Sequence, residues 1–152
     1  MPSKKYIEQA NNLAKAIDIA IEVIQIFPPI NWEMKDIKHF NNVYSDIRMR
    51  ILNPSKEFAN LQSLKYSIDD IFIFFQETSG KAVDVFWKKV KEQNLPYNRE
   101  NKIAKILKRG KIKDDIEYDF VVDTIVPYQQ EGIISPEEAE KLSKMIHIFE
   151  KR

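Results

Sequence analysis

The chain has 152 residues, 24 of them Lys or Arg and 23 Asp or Glu, with a net charge of +1; hydrophobic residues make up 43% and charged residues 31%. That balance is globular rather than disordered, and the length suits one domain burying roughly 70% of the surface its unfolded chain would expose. The absence of cysteine excludes disulfides, thiolate nucleophiles, iron–sulfur clusters and cysteine zinc sites, and three glycines leave little material for the tight hairpins of an all-β fold.

Ser3 is placed to cap a first helix whose face carries Ile7, Ala10, Leu13, Ala14, Ile17, Ala20, Ile21 and Ile24. Its alanines allow a neighbouring helix to approach closely, and Pro28-Pro29 ends it. Asn31 is placed to cap a second helix with the stripe Ile37, Phe40, Val43, Tyr44, Ile47 and Ile51. Asn53-Pro54 then closes that helix and opens the run 54–93, around which the chain is organised. There Phe58, Leu61, Leu64, Ile68, Ile71, Phe72, Phe75, Ala82, Val83, Phe86 and Val90 recur at helical spacing, thickened by Ile73 and Phe74. The apolar phase passes through Ser79-Gly80, so the spacing predicts a continuous helix, kinked if anywhere at Gly80. Unbroken, it would be roughly 58 Å long at 1.5 Å per residue.

After the loop Leu95-Pro96-Tyr97, Asn98 is placed to cap a short helix carrying Ile103, Ile106 and Leu107, with Gly110 just past its end. Asp114 and Glu117 form a capping pair for a helix with Ile116, Phe120, Val121 and Ile125 on its stripe and Pro127 near its end. Ser135-Pro136-Glu137-Glu138 is the clearest local signal, opening a last helix with Ala139, Leu142, Ile146 and Phe149. The expected fold is all-α: one domain, a bundle of about six helices. Its long central helix is shared by an N-terminal three-helix part (1–79) and a C-terminal helical part (80–152) that does not stand alone.

Recognisable catalytic chemistry is scarce. His39 and His147 lie on different helices without zincin spacing, and Asp36 one turn before His39 is the nearest approach to a cation site. Asp69 and Asp70 point about 100° apart on a helix, so one is expected solvated and the other paired with a lysine. Glycines at 80, 110 and 132 draw neither a phosphate loop nor a dinucleotide fingerprint. No catalytic, cofactor-binding or metal-binding residue is assigned, and an enzyme without a recognisable motif stays as an alternative.

Charge is the more informative pattern. Residues 88–113 hold ten basic side chains against Glu92 and Glu100, a net +8, whereas 114–140 hold nine acids and no Lys or Arg. Either the two segments neutralise each other across the Gly110 turn, or the basic one faces a partner. A helix-turn-helix reader is rejected, because five carboxylates on the second helix would repel phosphates. The expectation is a non-enzymatic, cytoplasmic protein-interaction module, an adaptor, regulator or immunity- or antitoxin-like protein. Its interface residues would be Trp87, Lys88, Tyr97, Arg99, Lys108 and Arg109, and its partner an acidic protein. Nonspecific nucleic-acid binding through 88–113, with Trp87 and Tyr97 stacking on bases, is the alternative. No membrane segment is expected, since the longest apolar run, Ile71 to Phe75, is far short of the ~20 residues a span needs. A long shared helix could also exchange between two chains, which leaves a homodimer open.

Overall fold

The structure, a computed structural model, describes residues 2–152. Seven α-helices and one 3-10 turn form its regular structure, and no strand occurs among the described residues, so the fold is all-α. The helices group into two compact units, one of Met1–Phe75 with Lys81–Asn98 and the other of Gln76–Gly80 with Arg99–Arg152.

In the first unit α1 (Lys4–Ile26) is the central helix. The Ser3 hydroxyl caps it, accepting from the Tyr6 amide. Ten of its residues are buried, because α2 (Met34–Leu52) and α4 (Lys81–Glu92) both pack on it. Burial therefore extends to Tyr6, Ala16, Ile19 and Val23, outside the single stripe expected, while Ile7 is 45% exposed. Four buried alanines let the neighbours approach closely.

Several helix starts differ from expectation. Asn31 does not cap α2; it occupies the left-handed region at φ 74, which asparagine tolerates, and forms the turn. Glu33 is the cap residue, and its amide donates to the Asp36 carboxylate at 2.8 Å. Helix α3 (Leu61–Glu77) starts at Leu61 rather than Pro54: Asn60 Oδ1 accepts from the Ser63 amide at 2.9 Å, and Lys56–Phe58 make a 3-10 turn. Pro54 and Phe58 thus belong to the α2–α3 connection.

The main correction concerns the expected rod. It is two helices, α3 and α4, separated by Thr78, Ser79 and Gly80, and α4 packs on α1 within the first unit. The periodicity survives the break because both helices bury their faces in one core. Phe75 stacks on Phe86 with centroids 3.8 Å apart, and Tyr44 and Phe40 meet Phe75 edge-on. Phe75 is among the last four residues of α3, whose carbonyls have no helical donor. The Trp87 indole N–H supplies one, donating to the Phe75 oxygen at 2.9 Å.

The second unit contains α5 (Ala104–Arg109), α6 (Asp115–Gln130) and α7 (Pro136–Glu150) around Ile103, Ile106, Val121, Tyr128, Ile134 and Leu142. Gly110 ends α5 in the left-handed region at φ 84, with its amide on the Ile106 oxygen. Asp114 caps α6 and the Ser135–Glu138 box opens α7, all as the sequence indicates. Asn98 is not the cap of α5, which begins later; Asn101 Oδ1 accepts from the Ile103 amide instead.

Gly80 sits at φ 126, where an L-residue is strained by about 1–3 kcal/mol. Gly80→Ala is therefore expected to lower the urea midpoint. In a continuous helix the same change would raise stability by about 1 kcal/mol, so the sign of the shift checks the break.

Candidate functional site

The basic segment 88–113 divides between the units. On α4, Trp87 is 4% exposed and belongs to the core, stacked on Phe72 and edge-on to Phe86. Lys88 is exposed, and Lys89 pairs with Glu22 at 3.1 Å. Tyr97 lies against Phe72 at 4.6 Å, and burial pushes its hydroxyl pKa up to about 12.

In the second unit both arginines are engaged by carboxylates, Arg99 as a buried residue and Arg109 as an exposed one. The Arg99 side chain is 2% exposed; its Nη1 lies 2.8 Å from Glu131, and its guanidinium sits over the Tyr128 ring at 4.9 Å. Arg109 makes a forked pair with Glu117 at 2.7 and 3.1 Å and donates to the Lys111 carbonyl. Glu117 also accepts from the Lys113 amide, so one carboxylate fastens the turn between α5 and α6. The Arg109 hydrogen bond is the main reason that the Glu117 carboxyl lies below its usual range and the Arg109 guanidinium above its own. These arginines join the basic segment to the acidic one through bidentate or stacked geometry that a lysine cannot reproduce.

The lysines stay outside. Lys105, Lys108, Lys111 and Lys113 are all exposed, and among the described residues none has a carboxylate within ion-pair distance. Lys111 and Lys113 line a groove of about 470 Å³, with Ile112, Met145, Ile148 and Phe149 as its apolar lining and Arg152, Asp114 and Asp115 as its other charged residues. Ile148 is 69% exposed, and Arg152 lies over the Phe149 ring at 3.7 Å while bridging to Asp115. Of the acidic segment, Glu131 and Glu117 are met by Arg99 and Arg109 of the basic one, while Lys105, Lys108, Lys111 and Lys113 remain exposed.

The other residues singled out gather no comparable group. His39 and His147 are exposed, and Asp36 is engaged by the Glu33 amide. Among the described residues no cluster of three metal-ligating side chains occurs, and no helix is long and apolar enough to cross a membrane. Asp69 and Asp70 are both exposed and neither pairs with a lysine, contrary to expectation. Ile148, the exposed apolar residue of the groove lined by Lys111 and Lys113, was not legible, since it sits off the stripe of its helix. Compared with family models, curated proteins and solved structures, the chain finds no match.

The depressed folded pKa of Glu117 makes its contribution to stability complete above the ordinary carboxylate range and lost as pH falls through the folded value. Glu117→Gln is expected to be less stable than the parent at pH 7, with the difference shrinking toward pH 3. Urea denaturation of both proteins at the two pH values checks this.

Proposed function

We propose that the chain is a non-enzymatic protein-interaction module whose second unit receives an acidic, partly apolar segment of another protein. The observation that supports this reading is the set of four exposed lysines, Lys105, Lys108, Lys111 and Lys113, of which Lys111 and Lys113 line a partly apolar groove together with Arg152, Asp114 and Asp115. Unpaired lysines steer an acidic partner and set its orientation, although each exposed pair adds only about 0–1 kcal/mol. Affinity then depends on how closely apolar side chains of the partner fill the groove, since the buried area alone does not set it.

The partner-facing role therefore moves to the lysines. Trp87 is interior, and Arg99 and Arg109 hold the second unit together, so replacing these arginines would report on folding as well as on binding. The same placement weakens the nucleic-acid reading. Base stacking needs open aromatic faces, whereas Trp87 is stacked on Phe72 and Tyr97 lies against the same ring.

Replacement of all four lysines by glutamine is expected to leave helix content and melting temperature near those of the parent, because none of the four makes an ion pair. Affinity capture from the native host, read by mass spectrometry, is expected to recover an acidic partner with the parent and not with the variant. Equal recovery by both proteins would remove the reading. Passage through a heparin column at ~150 mM salt is expected, and retention there would replace it with nucleic-acid binding.

A further inference from the structure

A second concave feature lies wholly in the first unit. It has a volume of about 600 Å³, within the range of sites that take drug-sized molecules. Tyr6, Ile51 and Leu64 are its buried lining, and Phe58 and Tyr66 are its exposed aromatic lining, Phe58 being 58% exposed.

The groove is held in shape from several directions. The Tyr6 hydroxyl donates to the Ile51 carbonyl at 2.8 Å, tying the first turn of α1 to the last of α2. Asn60 caps α3 and donates to the Glu57 carbonyl at 3.1 Å, which fixes the 3-10 turn carrying Phe58. A cleft fixed before binding spares a ligand the cost of ordering it.

Its charges decide the ligand class. Arg50 and Asp70 are its charged lining residues, and Arg50 is already paired with Asp46 at 3.2 Å. Among the described residues no Lys or Arg lies within ion-pair distance of Asp70. Its field reaches Tyr44, whose hydroxyl is held above the usual tyrosine range by burial first and by Asp70 second. The uncompensated charge is thus a carboxylate, set in a cleft with two accessible aromatic rings that attract cations in their own right.

We propose that this groove is a binding site for a small organic cation, an ammonium group carried on an apolar or aromatic body. The body fills the space over Leu64 and Tyr6, and the ammonium pairs with Asp70. The site belongs to the first unit and calls for a ligand opposite in charge to the partner proposed for the second.

The experiment is a titration of the ¹⁵N-labelled full chain with 2-phenylethylamine and, in parallel, with its neutral counterpart 2-phenylethanol. The amine is expected to give saturable amide shifts at Ser63, Leu64 and Ser67, with an affinity about fivefold above that of the alcohol, the size an exposed ion pair supplies. Asp70→Asn is expected to bring the amine down to the alcohol and to leave the alcohol unchanged; Phe58→Ala is expected to weaken both. Asp70 and Phe58 are both exposed, so a matching spectrum elsewhere verifies each variant's fold. Absence of saturable shifts up to about 10 mM would overturn the proposal, because affinities weaker than millimolar carry under ~4 kcal/mol. Equal affinity for amine and alcohol would overturn it too, as would an Asp70→Asn variant that still prefers the amine. Shifts at the same amides that follow protein concentration alone would assign the groove to a second copy of the chain and also overturn it.

Discussion

The hydrogen bond from the Trp87 indole to the Phe75 carbonyl is the constraint on which the first unit depends. A helix end buried among aromatics leaves carbonyls that water cannot reach, and each unsatisfied one would cost roughly 1–3 kcal/mol. With the Phe75 carbonyl satisfied from α4, the last buried turn of α3 is tied to α4, which packs against α1. Phe75 and Phe86 then stack at 3.8 Å, and the remaining rings arrange edge-on or tilted around them. Gly80 supplies the backbone freedom at the break, and the tryptophan supplies the polar partner that makes it tolerable.

The second unit is organised by a division of labour between two kinds of cation. Arginine offers a planar fork that grips a carboxylate with two bonds and lies flat on a ring. Arg109 does the first with Glu117, and Arg99 combines a carboxylate with the face of Tyr128. Lysine is a strongly hydrated point charge, and Lys105, Lys108, Lys111 and Lys113 stay exposed. Formal charge along the sequence does not separate these fates, because arginines and lysines count alike in it.

What the sequence made legible follows from local physics. Ser3, Asp114, Gly110 and the Ser135–Glu138 box act within four residues of themselves, and each performs as its type and position indicate. Asn31 and Asn98 were misread because several polar residues near each helix start could cap it, and tertiary packing chose among them. The break at Gly80 was hidden since apolar spacing reports which side faces a core, not whether the helix is continuous. The inward turn of Trp87 and Arg99 was hidden as well: both are amphipathic side chains, and their burial depends on distant partners such as the Phe75 carbonyl and Glu131. Of the candidate surface, the positive charge was legible and the neighbouring apolar groove was not.

The distribution of indole rings gives the molecule an uneven optical character. Its two tryptophans, Trp32 and Trp87, both belong to the first unit, one beside Phe40 and Phe74 and the other beneath Phe72. Emission excited at the red edge of protein absorbance therefore follows one half of the chain alone, whereas far-ultraviolet ellipticity sums the helices of both. Superposition or separation of those two signals during denaturation reads out directly whether the halves melt as one cooperative body or in succession.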